Sequence, residues 1–246
     1  MRFLFTSYHK SGTHQAYPMF MDQIPHLIDH SNIQFKGADK WGMPASRFPN
    51  PRYLETIEEL RNFTGKRFGH ISYMPEYAEA IQAKPTKVVF NVRDPRDVVI
   101  AEYENIKTKV RTGPGLGMWN IHFAEHGKIL SEMEDPIAIL IELAAIRWPH
   151  WLGWLDHDFV KMIHFEDLRD RTAPTVQAIR AFLPKVELKS EATMIKSVKD
   201  DNTPTFRKGL VGEHRQYFTD HHWELSDRLL LPIMERMGYD REGRVV

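Results

Sequence analysis

Arg2-Phe3-Leu4-Phe5-Thr6-Ser7-Tyr8-His9-Lys10-Ser11-Gly12-Thr13-His14-Gln15 is the stretch whose reading decides the fold. Arg2 to Tyr8 is a short run of aromatic and β-branched residues, the composition of a strand. Gly12 interrupts it and a helix-like stretch follows, so the segment reads as strand, tight loop, helix. Such a loop offers several backbone N–H groups pointing one way, together with the positive end of a helix dipole. Gly12 lets the backbone come close to an anion, Lys10 supplies a full charge, and Ser11 and Thr13 add hydroxyl donors. Two readings fit these residues: a phosphate cradle, or an ordinary tight turn with a capping Ser or Thr. It is not a Walker A loop, because the first glycine and the Gly-Lys pair are missing.

Working outward, Lys87-Val88-Val89-Phe90-Asn91-Val92 reads as a second strand, of the buried kind, with apolar residues on consecutive positions. Arg93-Asp94-Pro95-Arg96-Asp97 follows, where Pro95 suits a first helical turn and Asp94 a cap. Phe159 to Phe165 reads as a third strand, ending at Glu166-Asp167. Helical patterns cover Pro51 to Phe63, Pro75 to Ala83, Pro136 to Trp154, Thr175 to Leu183 and Glu224 to Met237. Strands alternating with helices predict an α/β fold with a central parallel sheet flanked by helices. In such folds ligands bind at the carboxyl ends of the strands. The chemistry is therefore expected just after Tyr8, Tyr73, Arg93 and Phe165. Lys107 to Asp135, with Gly113-Pro114-Gly115-Leu116-Gly117, has the length of a lid or binding loop. No linker divides the chain, so residues 1–246 are expected to form a single domain.

Composition narrows the function. The 246 residues carry 33 Lys and Arg against 33 Asp and Glu, a formal charge of zero. That balance argues against a nucleic-acid-coating role, since such domains carry a basic excess. A hydrophobic content of 42% with 14 Phe, 8 Tyr and 6 Trp is enough to fill a core. There is no cysteine, which excludes disulfides, thiolate catalysis and Cys-ligated metal. The first strand turns polar too early for a signal peptide. The longest oily run, Ile137 to Ile146, contains Glu142 and falls short of the about 20 residues of a bilayer span. A cytoplasmic protein without a membrane span is expected.

Two further segments could meet the anion. Arg93, delivered by a buried strand to the ligand-binding edge, suits bidentate recognition of phosphate. Pairing with Asp97 or Asp167 to hold the loop is the competing reading. In Phe206-Arg207-Lys208-Gly209-Leu210-Val211-Gly212, adjacent cations followed by glycines can wrap a phosphate, or can be a surface charge pair.

Together these segments resemble a known family. Tyr8-His9-Lys10-Ser11-Gly12-Thr13 resembles the Tyr-Pro-Lys-Ser-Gly-Thr loop of sulfotransferases that use 3′-phosphoadenosine-5′-phosphosulfate (PAPS). Val92-Arg93-Asp94-Pro95-Arg96-Asp97-Val98 resembles their 3′-phosphate segment, and Phe206 to Gly212 their Arg-Lys-Gly loop. Gly69-His70 through Tyr73-Met74-Pro75-Glu76 is similar to the region of the catalytic histidine in bacterial members. Phe165-Glu166-Asp167-Leu168 resembles their Tyr-Glu-Asp-Leu strand end. The matches come in family order.

The resemblance implies that Lys10, Ser11, Gly12, Thr13 and His14 hold the 5′-phosphosulfate, with Lys10 also stabilising the leaving group. It implies that Arg93, Arg207, Lys208 and Gly209 hold the 3′-phosphate. It makes His70 the general base, a role that suits the near-neutral pKa of histidine. PAPS is then the donor, PAP the product, a small molecule the acceptor, and no metal is implied. Phe20, Trp41, Phe48, Trp119, Phe123 and Trp148 could line an acceptor pocket or fill the core. Several residues depart from the family: Ala101 stands for a phosphate-binding serine, Phe165 for a tyrosine, and Glu213-His214 for Asp-Trp. Asp220 stands where the family's short dimer motif wants valine, so that motif is not intact and the oligomeric state stays open. His221-His222 reads as a solvated helix start rather than a metal pair. A non-catalytic PAP- or PAPS-binding protein of the same fold, or a small-molecule kinase with an atypical phosphate loop, are the alternatives.

Overall fold

A computed structural model of the chain describes residues 1–8, 10–12, 16–20, 52–112, 134–199 and 210–246. The chain divides into two compact units, residues 1–93 with 148–209, and residues 94–147 with 210–244.

The first unit is built on four parallel strands, β1 (Arg2–Ser7), β2 (Lys66–Gly69), β3 (Thr86–Val92) and β4 (Val160–His164), in the order β2-β1-β3-β4. Parallel strands need crossovers, and the helices α1 (Arg52–Asn62) and α2 (Pro75–Gln82) lie in the intervening segments. The register puts Phe5 beside Phe68 and Val89, and Ser7 beside Asn91. Residues alternate between faces, so Phe3, Phe5, Phe68, Val89 and Ile163 share one face. There they meet Phe20 and helices α5 (Phe165–Asp170), α6 (Thr172–Phe182) and α7 (Glu191–Lys199) through Leu168, Val176, Ile179, Met194 and Val198. The Phe5 and Phe68 rings stack at 5.3 Å and Phe3 lies 4.9 Å from Phe20. The opposite face meets Trp151 through Phe90, with ring centres 6.4 Å apart.

Arg2 enters the fold in an unexpected way. It is buried, and its guanidinium donates to the carbonyls of Leu60, Arg61 and Phe63 at the end of α1 and of Ile81 in α2. One cation thereby satisfies the orphan carbonyls of two helix C-termini. Burial pulls its pKa below the usual arginine value.

The second unit contains α3 (Pro95–Thr112), α4 (Pro136–Arg147), α8 (Asp220–Leu229) and α9 (Leu231–Arg236). Asp94 caps α3 as expected, accepting from Arg96 N at 2.9 Å, and also pairs with the buried Arg96 guanidinium. Asp97 is buried and accepts from Gly212 N at 2.8 Å and His214 N at 3.1 Å, with His214 Nδ1 at 2.7 Å. His222 is buried too, which corrects the solvated reading. It closes a capping box with Thr219, and its Nε2 donates to Asp135 at 2.8 Å. His221 beside it is exposed.

The α/β class holds, with local corrections. The pattern over Pro136 to Trp154 is broken, because α4 stops at Arg147 and a short turn restarts at Pro149, which has no N–H to continue the ladder. The pattern over Glu224 to Met237 breaks likewise before Pro232. In the helix-like stretch expected after Gly12, Tyr17–Met19 around Pro18 form a 3-10 turn. Strand β2 and helices α5 and α7 had no sequence reading, and Phe165, read as the end of the third strand, instead opens α5 because β4 ends at His164. The expected ligand edge after Tyr73 moves to His70, because β2 ends at Gly69.

Candidate active site

Three adjacent strands of the first unit, β2, β1 and β3, end at the same edge of the sheet, and each delivers a candidate residue there. β1 runs into Tyr8 and the loop of Lys10, Ser11 and Gly12. Tyr8 is buried and stacked on Trp148 at 4.3 Å, with Trp151 edge-on at 5.5 Å. Trp148 and Phe20 are buried in the core.

The loop is a tight turn. Lys10 and Gly12 have φ of +62° and +83°. A left-handed lysine is strained, and such strain gathers at functional sites. Gly12 is required for a second reason: a Cβ there would lie 2.2 Å from Phe165 Cδ2. Each described carbonyl of the turn is engaged. Tyr8 O accepts from Ser11 N at 3.3 Å and Gly12 O from Ala16 N at 3.0 Å. Lys10 O accepts from Arg93 Nη1 at 3.1 Å and Ser11 O from Asn91 Nδ2. Ser11 Oγ is buried with no hydrogen-bond partner among the described residues.

Arg93 follows β3 directly. It is buried, its guanidinium carbon lies 4.7 Å over the Phe165 ring, and it holds the loop through Lys10 O. The competing pairs are otherwise engaged: Asp167 meets Arg171 at 3.5 Å and His164 at 3.7 Å, and Asp97 meets Gly212 and His214. Phe165 packs against Gly12 and Arg93 from the first turn of α5.

His70 follows β2 and is buried, with Nδ1 at 2.8 Å from Ser7 O and 3.3 Å from Ser7 Oγ. A carbonyl only accepts, so Nδ1 carries the proton and Nε2 the lone pair. The next residues are fixed from behind. Ile71 exchanges bonds with Thr6 Oγ1, at 3.0 and 3.2 Å, and its carbonyl accepts from Trp154 Nε1 at 2.9 Å.

The structure thus gathers Lys10, Ser11, Gly12, His70 and Arg93 at one sheet edge. Thr13, His14, Arg207, Lys208 and Gly209 lie outside the described residues, as do Trp41, Phe48, Trp119 and Phe123. Asn91 and Ser7 were not singled out in the sequence. A buried strand carrying one amide near its end was the available signal for Asn91. Among the described residues, no group of three or more His, Asp or Glu is placed to hold a metal ion, and no helix is long and apolar enough to cross a membrane.

Comparison with known proteins meets this geometry. Mouse (Mus musculus) sulfotransferase 2A1 is 23% identical over 92% of this chain and 81% of its own length. Sulfotransferase 2A1 of Rattus norvegicus is 22% identical over 80% of this chain and 75% of its own. Among solved structures, mouse sulfotransferase SULT7A1 complexed with PAP superposes with a TM-score of 0.60 at 20% identity, covering 95% of this chain and 84% of that one. Retinol dehydratase in a complex with retinol and PAP gives 0.51 at 14% identity, over 93% of this chain and 80% of that one. The family model of the sulfotransferase domain matches residues 2–238, nearly the whole chain, and the protein belongs to that family of sulfuryl-transferring enzymes.

Proposed function

We propose that the protein transfers the sulfuryl group of PAPS to a hydroxyl or amine of a small-molecule acceptor and releases PAP, with residues 1–246 acting as one functional domain. The observation that carries this reading is the meeting of the Lys10 loop, His70 and Arg93 at the ends of three adjacent strands. In the reaction the bond from sulfur to the 5′-phosphate oxygen breaks as the bond to the acceptor oxygen or nitrogen forms. Charge grows on the leaving phosphate oxygen, where Lys10 and the Gly12 N–H supply preorganised positive potential. The buried, unpartnered Ser11 hydroxyl suits an anionic oxygen at the same place. His70 accepts the acceptor's proton at Nε2, while the Ser7 carbonyl stabilises the imidazolium through Nδ1.

Arg93 takes the 3′-phosphate, its guanidinium plane set by Phe165 and the Lys10 carbonyl. The roles of Thr13, His14, Arg207, Lys208 and Gly209 rest on their motifs. Ala101 offers no hydroxyl, so Arg93 has a larger share of 3′-phosphate recognition here. The retinol and PAP held together by retinol dehydratase are in keeping with a small-molecule acceptor.

Labelled PAPS with a panel of phenols, alcohols, sugars and lipids tests the reading. His70→Ala should cut turnover by about 10²–10⁴ while sparing PAP binding. Arg93→Ala should weaken PAP binding by about tenfold or more. A protein that binds ATP and ignores PAP would refute the donor.

A further inference from the structure

Asn91 is the one amide on the sheet face that carries Phe5, Phe68, Val89 and Ile163, and it is fully buried. An amide in an apolar stripe is costly unless it is hydrogen-bonded, so its partner matters. Its Nδ2 donates to Ser11 O, eighty residues away in sequence, and its Oδ1 has no partner among the described residues. Two residues on, Arg93 Nη1 donates to Lys10 O. The end of β3 therefore holds two successive carbonyls of the loop.

The consequence is electrostatic. In a trans peptide the carbonyl of one residue and the N–H of the next project to opposite sides. With Ser11 O drawn to Asn91, the Gly12 N–H faces away from β3. The Ser11 carbonyl so engaged is a negative dipole end withdrawn from an arriving anion, and the Gly12 N–H of the same peptide is the positive end presented to it, whereas the Ser11 N–H is taken by Tyr8 O. We propose that Asn91 is a positioning residue for the Lys10 loop: by holding Ser11 O it presents the Gly12 N–H to the 5′-phosphosulfate. The inference rests on the donor reading given above.

Asn91→Leu keeps the shape and removes the donor, and Asn91→Asp keeps the volume but sets a carboxylate against a carbonyl. Three measurements on the full chain decide the matter: hydrogen exchange of the amides of residues 8–20, PAP titration, and KM for donor and acceptor separately. Asn91→Leu should speed loop exchange and weaken PAP about tenfold, as loss of one buried hydrogen bond does, with β3 amides unchanged. Asn91→Asp should weaken PAP further. Donor KM should rise while acceptor KM stays, a split that general destabilisation does not produce. Loop exchange equal to the parent, PAP affinity within twofold of it, or the two KM values rising together would overturn the proposal. If the parent itself ignores PAP, the donor reading fails, and loop exchange alone still decides whether Asn91 holds the turn. Asn91→Asp supplies the same comparison should the leucine variant not fold.

Discussion

Replacing Gly12 by alanine tests the loop geometry most directly, because the structure supplies both parts of the cost. The backbone there has φ +83°, and a side chain in the left-handed region costs about 1–2 kcal/mol. The new methyl would also lie 2.2 Å from Phe165 Cδ2 and 2.7 Å from Cε2, far inside van der Waals contact. Phe165 is buried under Arg93 and has little room to yield, so overpacking adds about 1–3 kcal/mol. Gly12→Ala should therefore cost about 3 kcal/mol in urea unfolding. Truncating the ring removes the steric part and leaves the backbone part. In a Phe165→Ala background the same change should cost only about 1 kcal/mol, a coupling of about 2 kcal/mol in the double-mutant cycle. The single Phe165→Ala change carries its own cavity cost of about 3–5 kcal/mol, which the cycle subtracts. Costs that add within about 0.5 kcal/mol would show that ring and loop do not meet as described, and would refute the reasoning.

Arg2→Met should destabilise by about 3 kcal/mol, since it leaves the carbonyls of Leu60, Arg61 and Phe63 without their donor, while Ile81 O keeps Thr86 Oγ1. A loss under about 1 kcal/mol in urea melts would mean water replaces the guanidinium freely. Asp135 gives a pH effect of definite sign. Burial pushes its carboxyl up, but the Ala138 N–H and His222 outweigh that and hold it below the usual aspartate value. Its stabilisation is complete above the unfolded pKa of about 3.9 and disappears as pH falls through the lower folded value. Asp135→Asn should flatten the acid limb of a stability-against-pH curve, and slopes equal to the parent's would contradict the pairing.

What the sequence disclosed follows from which signals are local. β1 and β3 were legible because buried parallel strands are continuous apolar runs, and α3 because Asp94 and Pro95 announce a helix start. β2 was not: it is four residues at the sheet edge beginning Lys66-Arg67, with only Phe68 and Gly69 buried, and periodicity has nothing to grip. The residues after Arg93 were read correctly as a cap, but the partner of Arg93 was not among those weighed. It donates to a backbone carbonyl and lies over a ring face, and neither contact is visible in a charge pattern. The same holds for Arg2, for Asn91, and for the pairs Asp97 with His214 and His222 with Asp135. Each joins residues dozens of positions apart, and the topology alone decides which polar groups meet. The breaks before Pro149 and Pro232 had a local signal, which the apolar periodicity on either side obscured.

His70 and the Lys10 loop share one anchor, and that bears on how the site keeps its geometry. Ser7 is the last residue of β1, its carbonyl holds His70 Nδ1, and Lys10 stands three residues farther along. On the other side of β1, Ser7 is in register with Asn91, which holds Ser11. The spacing from His70 to the loop is thus set by the β2-β1-β3 ladder. In-line transfer loses about 10²-fold for a misplacement of about 1 Å, so a scaffold of parallel strands suits this chemistry. It also explains why polar side chains are tolerated inside the sheet's apolar end. Thr6 and Asn91 each give up hydration to hold a backbone group, of Ile71 and of Ser11, and the apolar core of the sheet, Phe5, Phe68 and Val89 included, supplies the stability that offsets the cost.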